Sequence, residues 1–322
     1  MLAAYVVSKH RPALMSAATI IFATALLWGS AAQPAQGVAL NLGDIVAVVQ
    51  NSGNVYVVNP TTGTRSLLSS GGALFNPFHV LVDNHGQIFI PERSGGAHGP
   101  GIVHVTPGTG SSSLLSPISF PLSLAAESSG SLIVGNFSSQ LFRVDLQTGK
   151  NTLLTTLSGL YDIQDIDIDT RGRYVVLDAG GKVARFDPAT GQQTIVASGG
   201  QFQNPSDLVI RANGDYLVAN QNVLLDINPV SGQQQIAFTS AAPIYWLALQ
   251  DQNTLLYADS NRTIWRLNLL NNQSQSITTF PSGVDVTRIA VYVPEPAAIS
   301  TFMVCSVALL VRSSRRNRTR KG

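Results

Sequence analysis

Charge is the scarcest feature of this sequence. Asp, Glu, Lys and Arg make up 12% of its 322 residues, about half the usual share for a globular chain. Eight of the 20 basic residues lie near the two ends, at Lys9, Arg11, Arg312, Arg315, Arg316, Arg318, Arg320 and Lys321, with no acidic residue in 1–32 or 297–322. What remains between them is mildly acidic. A body of that sign has no basic stripe to track a phosphate backbone, which excludes nucleic acid as the partner. Cysteine is almost missing too. Cys305 stands alone, so the chain forms no internal disulfide and no thiolate zinc site. Heptads, a long amphipathic helical period, a phosphate-cradling glycine loop and a Ser-His-Asp arrangement are also lacking. The 44% of apolar residues suffices for a core, so burial alone must hold an uncrosslinked domain together.

The two ends carry export features. Lys9, His10 and Arg11 precede an uncharged run from Ala13 to Trp28, and Ser30-Ala31-Ala32 supplies small residues for a signal peptidase. Residues 1–32 therefore read as a secretory signal peptide cleaved after Ala32, with an uncleaved anchor as the alternative. At the other end, Pro294-Glu295-Pro296 precedes an uncharged stretch over 297–311, then Arg312, Arg315 and Arg316. This is the order of a stop-transfer device: a short apolar transmembrane helix and a cytoplasmic basic cluster. The tail resembles the PEP-CTERM sorting signal of bacterial envelope proteins. That resemblance implies export machinery, signal peptidase and an exosortase as partners, with processing near Pro294, Glu295 and Pro296. It also implies an inner-membrane-anchored intermediate, then the cell surface or extracellular matrix. The alternative is a plain C-terminal anchor.

Between the ends the sequence repeats. Short apolar runs begin at His79, Ser123, Asp165, Asp207, Trp246 and Arg288, spaced 39 to 44 residues apart. A turn with glycine follows several of them, then a second strand such as Tyr174–Leu177, a third such as Val183–Phe186, and a Thr-Gly or Ser-Gly turn before a polar fourth strand. Four antiparallel strands in about 42 residues make one propeller blade. The chain begins with strands two to four of a unit, over 44–69, and ends with a lone first strand at Arg288–Tyr292. The two fragments complete one blade. The expectation is an all-β, six-bladed β-propeller over 40–293, closed by the C-terminal strand. Leu217-Val218-Ala219-Asn220 and Phe186-Asp187-Pro188-Ala189-Thr190-Gly191 are similar to the units of NHL-like and streptogramin-lyase-like propellers. That likeness implies the fold and leaves activity open.

Superimposing the units gives two sets of equivalent polar residues. The start of each first strand carries His79, Ser123, Asp165, Asp207, Trp246 or Arg288. The end of each second strand carries Glu92, Asn136, Asp178, Asn220 or Asp259. Both sets are expected near one mouth of the central channel. His79, Asp165, Asp207, Trp246 and Arg288 are the candidate binding residues there, for a glycan or an envelope protein. Glu92, Asn136 and Asp178 are the candidate oxygen donors for a divalent cation such as calcium. The competing reading of both sets is structural, since strand-end Asp and Asn hydrogen-bond the next turn. Asp165-Ile166-Asp167-Ile168-Asp169 opens like a calcium loop but lacks its glycine and its closing glutamate. Glu92 and His98 flank a Gly-rich connection, read as a flexible surface loop. The favoured function is a non-enzymatic binding module on an exported protein. The alternative is a divalent-metal-dependent enzyme of the lactonase or lyase kind.

Overall fold

Pairing follows the repeat read from the sequence. The computed structural model describes residues 37–50, 52–94 and 98–293. Among these residues the chain forms strands and no α-helix. Blade one takes β1 (Ile45–Val49), β2 (Asn54–Val58) and β3 (Arg65–Ser69). Blade two takes β4 (Leu81–Val82), β5 (Ile88–Glu92), β6 (Gly101–Val105) and β7 (Ser112–Pro117). Blade three takes β8 (Pro121–Glu127), β9 (Ser131–Asn136), β10 (Gln140–Asp145) and β11 (Asn151–Thr156). Blade four takes β12 (Ile163–Ile168), β13 (Tyr174–Asp178), β14 (Lys182–Asp187) and β15 (Gln192–Ser198). Blade five takes β16 (Pro205–Ile210), β17 (Tyr216–Asn220), β18 (Val223–Ile227) and β19 (Gln234–Thr239). Blade six takes β20 (Ile244–Asp251), β21 (Thr254–Asp259), β22 (Thr263–Asn268) and β23 (Gln273–Thr279). The last strand, β24 (Val286–Val291), returns to blade one and pairs antiparallel with β1, Ile45 opposite Val291. The chain is a six-bladed propeller closed by its C-terminal strand, as the repeat count predicts.

Burial explains the strand types. The second strands β5, β13 and β17 are buried along their whole length. They read as continuous apolar runs because neighbouring blades cover both of their faces. The fourth strands are mostly exposed and correspondingly polar, as in Gln192–Ser198. The core is therefore divided into layers between adjacent blades. One layer packs Val175, Leu177 and Val183 of blade four against Leu208, Tyr216 and Val218 of blade five. Another packs Ile45 and Ala47 of blade one against Leu256 and Ile264 of blade six, which seals the ring. Each fully buried Leu, Ile or Val contributes about 1.5–3 kcal/mol.

Blade two departs from expectation. The first strand predicted over 79–83 is reduced to Leu81–Val82, with an isolated bridge from Pro77 to Glu92. Pro91 stands on the partner strand where a ladder donor is needed, and proline has none. The fourth strand of every blade carries a bulge in its pairing with the third. These are the edge strands of their sheets, and bulges discourage pairing with another chain.

The antiparallel order puts two kinds of connection on opposite sides. The loops from fourth strand to next first strand, and from second to third, make a loop face. The first–second and third–fourth hairpins make a hairpin face. The described ends meet on the hairpin face, where Gly43 N–H donates to Tyr292 C=O at 2.8 Å and Tyr292 N–H donates to Asp44 C=O at 3.0 Å. The expected signal peptide with Ala32, the Pro294-Glu295-Pro296 motif, the 297–311 helix and the Arg312, Arg315 and Arg316 cluster lie outside the described residues. Among the described residues no helix is long and apolar enough to cross a membrane.

Candidate functional site

The first set of predicted residues converges at the loop-face end of the channel, one side chain from each blade. Bulges in blades three to six, just before Ser123, Asp165, Asp207 and Trp246, set how these side chains enter the ring. Ser123 Oγ accepts from Ile166 N–H at 2.9 Å and donates to Asp165 Oδ1 at 2.9 Å. Asp165 Oδ2 accepts from Leu208 N–H at 3.0 Å, and Asp207 Oδ2 accepts from Leu247 N–H at 2.6 Å. Trp246 Nε1 donates to the Val286 carbonyl at 3.0 Å. Each bond ties one blade to the next. His79 Nε2 lies 3.1 Å from Asp165 Oδ1.

Arg288 spans this ring. Its Nη1 is 2.5 Å from Asp207 Oδ1 and 3.7 Å from Asp165 Oδ1. Its Nη2 donates to the Gln164 carbonyl at 2.7 Å, and the guanidinium lies over the Trp246 ring, 4.3 Å from the centroid. Arg288 is 1% exposed. Burial, reinforced by the Arg288 charge, holds the His79 imidazole well below its ordinary pKa, so the ring is neutral near pH 7. Burial pushes the Asp207 carboxyl well up; Arg288 offsets part of this and Asp165 adds to it. The five candidates thus come together as a buried plug tied by these bonds and ion pairs, although His79 Nδ1 and Arg288 Nε find no hydrogen-bond partner among the described residues. Beneath the plug the channel holds a cavity of about 340 Å³, lined by all six first strands and mostly aliphatic. Asp167, one turn of pleat further along β12, repeats the inter-blade tie by accepting from Ile210 N–H at 2.9 Å.

The second set behaves as loop caps. Glu92 is fully buried and accepts from Phe75 N–H at 2.8 Å and Asn76 N–H at 2.9 Å. Asp178 accepts from Tyr161 N–H at 3.1 Å and Lys182 N–H at 2.6 Å. Asn136 Oδ1 accepts from Ser138 and Gln140 N–H, at 3.0 and 2.9 Å. Asn220 and Asp259 serve their own loops in the same way. These oxygens are turned to backbone amides of three different blades, so the set does not fit a hard cation that needs six to eight convergent oxygens. Among the described residues no three His, Cys, Asp or Glu are placed to hold a metal ion. The Asp165-to-Asp169 run is similarly dispersed, with Asp169 paired to Arg173 at 2.7 Å. Glu92 is buried while His98 is exposed.

The sequence reading missed the aromatic rim around the plug. Phe75, Phe120, Phe137, Tyr161 and Tyr245 stand on the loop face with 37% to 64% exposure. Phe137 meets Tyr161 edge-on at 6.2 Å, Tyr245 meets Trp246 at 6.1 Å, and Arg93 caps Phe78 at 4.8 Å. Phe120 holds φ +48°, strained for an aromatic residue, and such strain concentrates at functional sites. Apart from histidine, the loops of this face carry only Arg93, Asp162, Arg262 and Asp285 as charged residues. The signal lay in the sequence: an aromatic residue stands within four positions before most of the ring residues.

No protein-family model matches the chain, and no curated protein matches it. The fold is shared widely: 1615 solved chains match it. One of them, from a crystal structure of a nidogen/laminin complex, superimposes with a TM-score of 0.65 at 12% identity, over 78% of this chain and 99% of that one. At that identity the likeness is one of fold, and a propeller fold hosts many functions.

Proposed function

We propose that the chain is an exported envelope protein, sorted through its C-terminal signal, whose propeller binds a protein partner on the loop face. The aromatic rim carries this reading. Interface cores are depleted in charge and enriched in Tyr, Trp, Phe and Arg, and the loop face has that composition around a ring of buried polar residues. The similar solved fold was crystallised in a nidogen/laminin complex. The described ends meet on the hairpin face, so a tail leading from Val293 to a membrane leaves the rim on the far side. A metal-dependent lactonase or lyase finds no support in the geometry, because Glu92, Asn136 and Asp178 spend their oxygens on backbone amides.

The test compares the full-length chain with a variant carrying Phe120→Gly, Tyr161→Ser and Tyr245→Ser. The fraction held at the cell surface and the intact mass are measured for both. Both proteins should lose 1–32 and the Arg-rich tail, while the variant is shed into the medium. Equal retention refutes the partner face. An intact tail on surface protein refutes the sorting.

A further inference from the structure

The internal repeat supplies its own control for one polar contact on the hairpin face. In blade three, Glu127 ends the first strand and Arg143 lies on the third. Arg143 Nε donates to Glu127 Oε2 at 2.7 Å. Tyr174 of blade four closes the group, donating from its hydroxyl to Glu127 Oε1 at 2.6 Å. Blade six builds the same contact with Gln250 and Arg266 at 3.2 Å. Blade five builds it with the charges exchanged, Arg211 to Asp226 at 2.9 Å. In these three blades the third-strand side chain has a partner from the first–second hairpin.

Blade four has the same residues and a different outcome. Asp169, Arg185 and Tyr216 stand 42 positions after Glu127, Arg143 and Tyr174. The carboxylate is diverted, however. Arg173, where blade three has Ser131, takes Asp169 Oδ2 through Nε at 2.8 Å and Nη2 at 2.7 Å. Arg185 is left without a carboxylate among the described residues. It makes a long 3.4 Å bond to the Pro229 carbonyl and a contact with the Tyr216 hydroxyl. Arg185, Arg173, Arg171 and Tyr216 line a cavity of about 320 Å³ between blades four and five, walled by Ile210, Pro229 and Val230. Three guanidinium groups against one carboxylate leave this cavity cationic in a mildly acidic protein.

We propose that this cavity is a binding site for a small molecule bearing an oxyanion, a carboxylate or phosphate. The anion takes the place that Glu127 fills in blade three, and the apolar part lies against Ile210, Pro229 and Val230. Guanidinium groups suit both anions because their forked donors match two oxygens at once. The cavity holds a sugar-sized body, so a sugar acid or a sugar phosphate is the class it fits. The site lies on the hairpin face and does not depend on the aromatic rim.

The experiment titrates glucuronate, inorganic phosphate and neutral glucose into the full-length protein, followed by calorimetry, with thermal melts to confirm that each variant is folded. Glucuronate or phosphate should bind and glucose should not; which anion binds more tightly identifies the source of the charge. Arg185→Gln should weaken the anion by about tenfold or more, the loss of a charge-assisted hydrogen bond. Arg173→Ser, which frees Asp169 to rejoin Arg185 as in blade three, should also lose binding while staying folded. Asp169→Asn should bind more tightly. Glucose binding as well as the anions, or Arg185→Gln and Asp169→Asn leaving the affinity unchanged, would overturn the site.

Discussion

Arg288, on the last strand of the propeller, sits 2.5 Å from the Asp207 carboxylate of blade five across the closed end of the channel. Arg288 is 1% exposed and Asp207 3%. Removing one member of a buried pair strands the other charge, at a cost of about 3–5 kcal/mol. Arg288→Ala should therefore lower the unfolding free energy by about that amount. It should also speed amide exchange in β1, because β24 loses its hold on blades four and five. Arg288→Met combined with Asp207→Asn should cost less than the two single changes added, since neither charge is then stranded. Urea unfolding of the wild type, the three single variants and the double variant measures both statements. A loss below about 1 kcal/mol for Arg288→Ala would mean that strand pairing and apolar packing alone close the ring.

Much of this architecture was legible because it repeats. A period near 42 residues, with the unit's last three strands at the front and its first strand at the back, leaves a closed ring as the arrangement that pairs every fragment. The candidate ring was legible only as a set of positions. Nothing in Asp165 or Asp207 as letters tells whether a carboxylate faces solvent or accepts the amide of the next blade; that depends on bulges such as the shift between Ile163 and Asp165. Position also misled at Glu92, Asn136 and Asp178, which line up as a set but each serve their own loop. The released Arg185 was invisible for a related reason. Its fate is decided by Arg173, four residues after the carboxylate it captures.

The plug and its second layer should make stability depend on pH. Burial pushes the Asp167 carboxyl up to about 6, and hydrogen bonds from Ile210 and Ile168 N–H offset only part of this. In the unfolded chain the same group titrates near 3.9. Between these values the unfolded chain binds fewer protons than the folded one, so this group's contribution falls as pH rises from about 4 to about 6 and is constant above. Asp207, also raised by burial, acts with the same sign. The lowered His79 acts with the opposite sign below about 6.5, its contribution growing as pH rises. Asp167→Asn isolates one group from the others. The unfolding free energy of the variant minus that of the wild type should grow by about 1–3 kcal/mol between pH 4 and pH 7. A difference that does not change with pH would show that Asp167 titrates in the folded protein as it does in the unfolded chain.

Two glycines at the same point of the repeat separate backbone strain from contact between blades. Gly149 and Gly191 each end a third–fourth hairpin, after Asp145-Leu146-Gln147-Thr148 and Asp187-Pro188-Ala189-Thr190, with φ of +68° and +72°. A Cβ on Gly191 would meet nothing within 4 Å, whereas one on Gly149 would run into the Leu115 carbonyl of blade two. Leu115 is the bulged residue of β7, between Leu114 opposite Val103 and Ser116 opposite Ile102. The bulge that spoils the sheet edge thus also receives the turn of the next blade. Gly191→Ala should cost only the strain of a left-handed alanine, about 1–2 kcal/mol. Gly149→Ala adds a main-chain clash that only movement of a blade relieves, and should cost about 3 kcal/mol or more. Urea midpoints of the two variants give the comparison directly. Equal losses would mean that blades two and three yield freely at this contact, and that the bulge serves the sheet edge alone.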